Sequence, residues 1–277
     1  METITKADIS AVKPDCLSAQ ALEQKAEAVG IGKTKLEVGR MFVLAMMAGM
    51  QIGCGALFMT YVKADQTLSF AAASVLGGLC FSLGLICVIV AGAELFTGNC
   101  LMVIAASGKK IAWGAMLKNW GIVWVGNLVG SLVAVALGYL SDMPNMNGGA
   151  VGEAFVSVAA GKLALPFGTA FVKGILCNML VCLAVWIGFS ARTVTDKIVG
   201  LILPITAFVA CGFEHCVANM FFLPMGLVLY ATGVGSAAAE VMTIGNLAVN
   251  LIAATLGNVV GGALLIGMSY WFVYGRK

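Results

Sequence analysis

Charge is what this 277-residue sequence has least of: 10% of its residues are Asp, Glu, Lys or Arg, where a soluble domain carries about a quarter. With 61% hydrophobic residues and a mean hydropathy of +1.00, the chain reads as an integral membrane protein. A net charge of +3 is too small and too dispersed for nucleic-acid binding. Histidine occurs once, as His215. The nine cysteines (Cys16, Cys54, Cys80, Cys87, Cys100, Cys177, Cys182, Cys211 and Cys216) contain no C-x-x-C pair. A Cys/His metal centre therefore lacks a ligand set, and no metal or cofactor is expected. The cysteines read instead as small buried hydrophobes. The full Gly-x-x-x-x-Gly-Lys-Ser/Thr nucleotide loop is absent, so an enzyme is not expected. The first forty residues hold several lysines and no apolar core, so a cleavable signal peptide is not expected either.

What is present comes in pairs. Residues 92–99 read Gly-Ala-Glu-Leu-Phe-Thr-Gly-Asn and residues 212–219 read Gly-Phe-Glu-His-Cys-Val-Ala-Asn, a shared Gly-x-Glu-x-x-x-x-Asn frame inside two apolar runs. A second pair follows in the same order, Gly126-Asn127-Leu128-Val129-Gly130 and Gly257-Asn258-Val259-Val260-Gly261. Order and spacing imply duplication of a three-helix unit. Each copy puts a glutamate and a glycine break at membrane depth, where backbone can leave the helix only inside protein or along a cavity. That combination points to a solute path. The four-residue glycine spacing of the second pair reads as close helix packing.

Six apolar segments are long enough to span, at roughly 20 residues each: near 37–61, 68–91 (continuing to about 106), 112–140, 170–190, 198–223 and 244–273. The second and fifth are the interrupted ones. The fold class expected is all-α, six transmembrane helices in an inverted 3+3 repeat. Residues 1–36 form an N-terminal segment and 37–277 the membrane domain, with repeats at about 37–140 and 166–273. Lys25, Lys33, Lys35 and Arg40 precede the first span, Lys109, Lys110 and Lys118 follow the second, Arg192 and Lys197 the fourth, and Arg276 and Lys277 end the chain. The positive-inside rule then places both termini in the cytoplasm of a multi-pass cell-membrane protein. With three spans per repeat, the second unit enters upside down. The stretch from Asp15 to Lys35 reads as a surface helix with Leu17, Ala21, Ala28 and Ile31 on or near one side, a mobile plug being the alternative.

Several side chains could serve a path. His215, beside the second break, is an ionisable group at membrane depth that can hand a proton or hydrogen bond to a weak-acid anion. Thr97 holds the matching break and can donate and accept. Glu94 and Glu214 would repel an anion, and read as structural pins accepting backbone N–H groups of the broken helix ends. Phe81, Phe96, Phe208, Phe213, Leu85 and Leu95 can form apolar constrictions that exclude water. Lys162 and Lys173 stand on the lysine-poor outer side and can concentrate anions. Asn178 and Asn258, with Asn127 as the latter's mate, read as cross-helix glue or path lining.

With these residues in view the chain resembles the formate/nitrite transporter family. The motifs that carry the resemblance are Phe81-Ser-Leu-Gly-Leu85, residues 92–99, residues 175–186 around Asn178, residues 212–221, and Gly257-Asn258-Val-Val-Gly-Gly262. The resemblance implies an aquaporin-like protomer in a homopentamer, each protomer with its own pore. It also implies that Phe81, Leu85, Leu95 and Phe208 form two hydrophobic slits, that Thr97 and His215 pair between them near Asn178 and Asn258, and that Lys162 stands in the outer vestibule. Lys173 replaces an apolar residue of some formate channels, and the segment after Met225 is shorter than in many. Formate is the first substrate expected, with protons and the lipid bilayer as further partners; nitrite and hydrosulfide are the alternatives. A neutral-solute pore of the aquaporin type is a distant third, because the paired Asn-Pro-Ala turns of water channels are absent.

Overall fold

The computed structural model describes residues 16–276, and every regular element among them is helical. Helix α1 (Ala19–Thr34) starts at Ser18, whose hydroxyl accepts the Ala21 N–H, a favoured N-cap. Its buried stripe is Leu22, Glu23, Ala26 and Gly30, not the side marked by Ala21 and Ala28. Asp15 lies outside the described residues.

Among the described residues, five helices are long and apolar enough to cross a membrane: α2 (Val38–Lys63), α3 (Phe70–Ala91), α6 (Trp113–Leu140), α8 (Phe167–Ser190) and the helix from Ile244 to Gly275. The last begins as α11 (Ile244–Val259) and is π-helical over Val260–Met268 and Trp271–Gly275, an uncommon widening. Two of the expected spans are broken. After α3 the chain resumes as α4 (Phe96–Asn99), a 3-10 turn (Cys100–Met102) and α5 (Val103–Ser107). The expected fifth span is α9 (Val194–Ala210), of 17 residues, followed beyond its break by α10 (Cys216–Ala231). Between the third and fourth spans lies α7 (Ala150–Leu163), where the sequence suggested only a connection.

Both breaks turn on a glycine in the left-handed region, Gly92 at φ +80° and Gly212 at φ +65°, which a side chain would strain. The following N–H reaches five residues back in each case, Ala93 to Val88 O at 2.9 Å and Phe213 to Phe208 O at 3.0 Å. The glutamate N–H then crosses to the neighbouring span, Glu94 to Leu44 O at 3.2 Å and Glu214 to Lys173 O at 3.3 Å. Packing repeats as the backbone does: α2 lies on α3 and α6 as α8 lies on α9 and α11, and α3 meets α9 where the halves join.

Four cysteines (Cys100, Cys177, Cys182, Cys216) are buried as expected, but Cys16, Cys54 and Cys211 are exposed and Cys80 and Cys87 half-buried. Burial within the chain is not required of an apolar residue on a span, because lipid tails are as apolar as its own interior. Leu137, Leu140 and Leu203 show the same freedom.

Candidate functional site

A helix that restarts inside a membrane has unpaired N–H groups and no water to take them. Each restart here is held by the asparagine of the second sequence pair. Asn127 Oδ1 accepts the Phe96 N–H at 2.9 Å, while its Nδ2 donates to Ala45 O at 2.8 Å and Glu94 O at 2.9 Å. Asn258 repeats this: Oδ1 accepts the Cys216 N–H at 2.9 Å, and Nδ2 donates to Gly174 O and Glu214 O, both at 2.8 Å. Asn258 is thus a clamp on the break.

The two glutamates are bound by side chains, which differs from the expected role of receiving backbone N–H groups. Glu94 accepts from Lys33 Nζ at 2.6 Å and from Asn99 Nδ2 at 2.8 Å, and Asn99 also donates to Asn119 Oδ1 at 2.9 Å. Glu214 accepts from Lys162 Nζ at 2.8 Å, Asn219 Nδ2 at 2.6 Å and Asn250 Nδ2 at 3.2 Å, and Asn219 donates to Asn250 Oδ1 at 2.7 Å. The reason is geometric: the Asn127 and Asn258 amides already occupy the N–H groups, which leaves each carboxylate free for a cation. The last letter of the repeated frame, Asn99 and Asn219, was visible in the sequence but not its role. Lys33 of α1 does for Glu94 what Lys162 of α7 does for Glu214, so the two short helices are counterparts.

Two cavities open at opposite ends of α3, α8 and α9. One, of about 320 Å³, lies under α1 and is lined by Lys25, Lys33, Leu85, Glu94, Leu95 and Lys197, among others. The other, of about 500 Å³, lies under α7 and is lined by Lys63, Lys162, Lys173, Glu214, Phe81, Phe208 and His215, among others. Each has three lysines against one glutamate. In the first, Lys25 Nζ donates to Phe189 O at 2.6 Å. Burial, then the charges of Lys197 and Arg192, push the Lys25 ammonium below its ordinary range, since both disfavour the charged form. In the sequence Lys25, Lys33 and Lys197 mark only the side of the membrane and Lys63 is an ordinary helix-end lysine; their convergence on the cavities belongs to the fold.

Apolar side chains end both cavities. Leu85 and Leu95 are almost fully buried at the first, Phe81 and Phe208 at the second. The Phe81 ring meets Phe208 edge-on, with centroids 5.7 Å apart, and stacks on Phe222 at 6.4 Å. Phe222 also carries Lys162 Nζ 5.9 Å from its centroid, within reach of cation–π attraction. Sequence inspection passed over this ring because it lies in an apolar helix like any other.

Thr97 and His215 come together in the interior, Thr97 Oγ1 2.9 Å from His215 Nε2. The ring is the N-cap of α10, its Nδ1 accepting the Ala218 N–H at 3.0 Å. A nitrogen that accepts a backbone N–H carries no proton, so the neutral ring is the Nε2–H tautomer. That N–H donates to the threonine oxygen and leaves the threonine O–H to donate elsewhere. Phe208 stacks on the imidazole at 5.7 Å. Behind the pair, Asn178 Nδ2 donates to Thr97 O at 3.2 Å and to Asn258 O at 2.7 Å. Of the residues picked from the sequence, the geometry joins Thr97, His215, Asn178 and Asn258 in one network. Lys173 lines the second mouth without joining it.

Known proteins match this arrangement over most of the chain. Residues 20–272 match the profile described as Formate/nitrite transporter. The chain is 41% identical over 274 residues to the formate channel FocA of Escherichia coli (strain K12), covering 95% of this chain and 96% of that protein. It is 34% identical over 261 residues to the formate channel BtFdhC of Bacillus thuringiensis, covering 92% and 96%. A solved pentameric formate channel with formate bound superposes with a TM-score of 0.79 at 42% identity, covering 86% of this chain and 98% of that one.

Proposed function

This chain belongs to the formate/nitrite transporter family, and from that premise we propose that it is a pore for small monovalent weak-acid anions, formate first among them. The pore is pH-dependent, with His215 between two hydrophobic slits. The observation that carries the reading is the buried Thr97–His215 hydrogen bond, whose histidine lies on the wall of the second lysine-bearing cavity.

Lysines at either mouth raise the local concentration of anions. Leu85 with Leu95 on one side, and Phe81, Phe208 and Phe222 on the other, admit a solute only after it sheds water. For an isolated carboxylate that costs tens of kcal/mol by idealised Born estimates, and protonation removes most of it. Thr97 presents its O–H to the anion while the His215 Nε2–H holds the threonine oxygen. A proton added to the ring must go to Nδ1, which breaks the cap at Ala218, so taking up a proton and releasing the start of α10 are one event. Four relations support a homopentamer in the cell membrane: the solved pentameric relative, the identity to it, the apolar spans and their exposed leucines.

Liposomes holding the purified protein should take up labelled formate, with nitrite and hydrosulfide as competitors that rank the alternatives. Leu95→Ala and Phe208→Ala, which widen a slit without adding charge, should speed passage of anions larger than formate. No formate uptake by folded protein would remove the reading. Unchanged selectivity in both variants would make those side chains packing only.

The orientation proposed is with both termini in the cytoplasm. Single reactive cysteines placed near Asp142 and Glu240 should then label from outside, and those near Lys109 and Arg192 from inside. Labelling near Lys109 and Asp142 from the same side would overturn it.

A further inference from the structure

We infer that Cys182 is a positioning residue for Thr97, and through it for the hydroxyl that faces His215. The inference rests on the pore proposed above. Thr97 lies in α4, one α-helical turn that gives way to a 3-10 turn at Cys100. At that seam the Thr97 carbonyl is met from α8 by two donors, Asn178 Nδ2 at 3.2 Å and Cys182 Sγ at 3.4 Å. Cys182 Sγ also lies 3.7 Å from Asn178 Oδ1, one turn back on the same helix. Asn178, Cys182 and Thr97 are all fully buried, so no water substitutes for either donor. A thiol is a weak, long-reaching donor, suited to trimming the angle of a carbonyl whose main partner is the amide.

The duplicated architecture shows that this arrangement is particular to one half. Asn127 donates to Ala45 O where Asn258 donates to Gly174 O, which aligns α2 with α8. In that alignment Asn178 and Cys182 stand opposite Gly49 and Gly53. The same exchange of size runs the other way on the partner helix. Gly262 corresponds to Ser131, and a Cβ at Gly262 would meet Asn178 Nδ2, lie 2.8 Å from Cys182 Sγ and lie 2.9 Å from Cys100 Cβ. Repeat two has emptied the π-helical stretch after α11 at Gly262 and filled α8 with two donors, both aimed at a carbonyl of repeat one. The pseudo-two-fold relation is broken where the threonine must meet the histidine.

Because His215 is the single histidine of the chain, isotope-labelled histidine gives one imidazole in the nitrogen NMR spectrum of the intact protein. Cys182→Ala is expected to shift the Nε2 resonance, which senses the Thr97 hydrogen bond. It should also displace the pH profile of formate flux and lower that flux several-fold. Cys182→Ser, which keeps a donor at the same place, should restore the wild-type resonance and profile. Gly262→Ala, which crowds the donors without removing one, should shift the resonance as Cys182→Ala does.

An unchanged resonance in folded Cys182→Ala would overturn the inference. So would equal shifts in the alanine and serine variants, because the side chain would then be filling space and not donating. If Cys182→Ala cannot be purified folded, Gly262→Ala and Cys182→Ser decide it. A shifted resonance with unaltered flux and pH profile would keep the contact to Thr97 but place the Thr97–His215 pair off the path, which fails the function proposed above and not the positioning.

Discussion

Asn258→Leu is expected to leave little or no folded protein. The substitution keeps the approximate volume and removes three hydrogen bonds at once, to the Cys216 N–H and to the carbonyls of Gly174 and Glu214. Each buried backbone group left without a partner costs about 1–3 kcal/mol. The three together rival the whole net stability of a typical folded domain, about 5–15 kcal/mol. Neither lipid nor the packed interior can supply replacements. Asn127→Leu should behave alike, since its amide serves the other break with the same three contacts. Asn246→Leu is the control. From the first turn of α11 its Nδ2 also donates to two carbonyls, Glu240 O and Val241 O, both at 3.0 Å, but these belong to the preceding loop, where water can take over, so its loss should stay within about 1 kcal/mol. Thermal unfolding of the detergent-solubilised proteins measures the contrast. Equal stability of Asn258→Leu and Asn246→Leu would show that the clamps are not what holds the breaks.

His215 should separate conduction from proton coupling. Asn is among the best N-cap residues, so His215→Asn can still accept the Ala218 N–H and keep α10 in place. It cannot take up an extra proton. Formate flux should therefore persist in liposomes while the accompanying proton movement and the response to pH disappear. His215→Phe loses the cap, worth about 1 kcal/mol, and also the donor that holds the Thr97 oxygen. A lost hydrogen bond in a buried site costs about 1–3 kcal/mol. At about 1.4 kcal/mol per factor of ten, flux should fall on the order of tenfold or more. Wild-type proton coupling in His215→Asn would remove the central histidine from the mechanism and turn attention to Lys162 and Lys173.

Much of this was legible in the sequence, for reasons that can be named. Glycine at a left-handed position is hard to replace, so Gly92 and Gly212 marked both breaks before any helix was seen. Lone polar residues in apolar runs stand out, which singled out Thr97, Asn178, His215 and Asn258. What stayed hidden were partnerships between distant segments. Glu94 and Glu214 were each visible, but nothing in their own surroundings says that Lys33, 61 residues away, or Lys162, 52 residues away, would bind them. Helix α7 falls in a stretch whose Glu153 and Lys162 mark a connection between spans, although that lysine is what the helix delivers. Phe222 and Cys182 sit in runs of apolar residues where single-sequence periodicity gives no side chain priority over its neighbours. The π-helical stretch after Val259 has no compositional marker, since wider winding is a response to packing.

The matched mouths have an electrical consequence. With three lysines and one glutamate at each end, either mouth by itself draws anions from the water in front of it, and salt screens that pull over about 10 Å at 0.1 M ionic strength. In the pore proposed above, the same attraction at both ends would let anions be received from whichever side of the bilayer holds more of them.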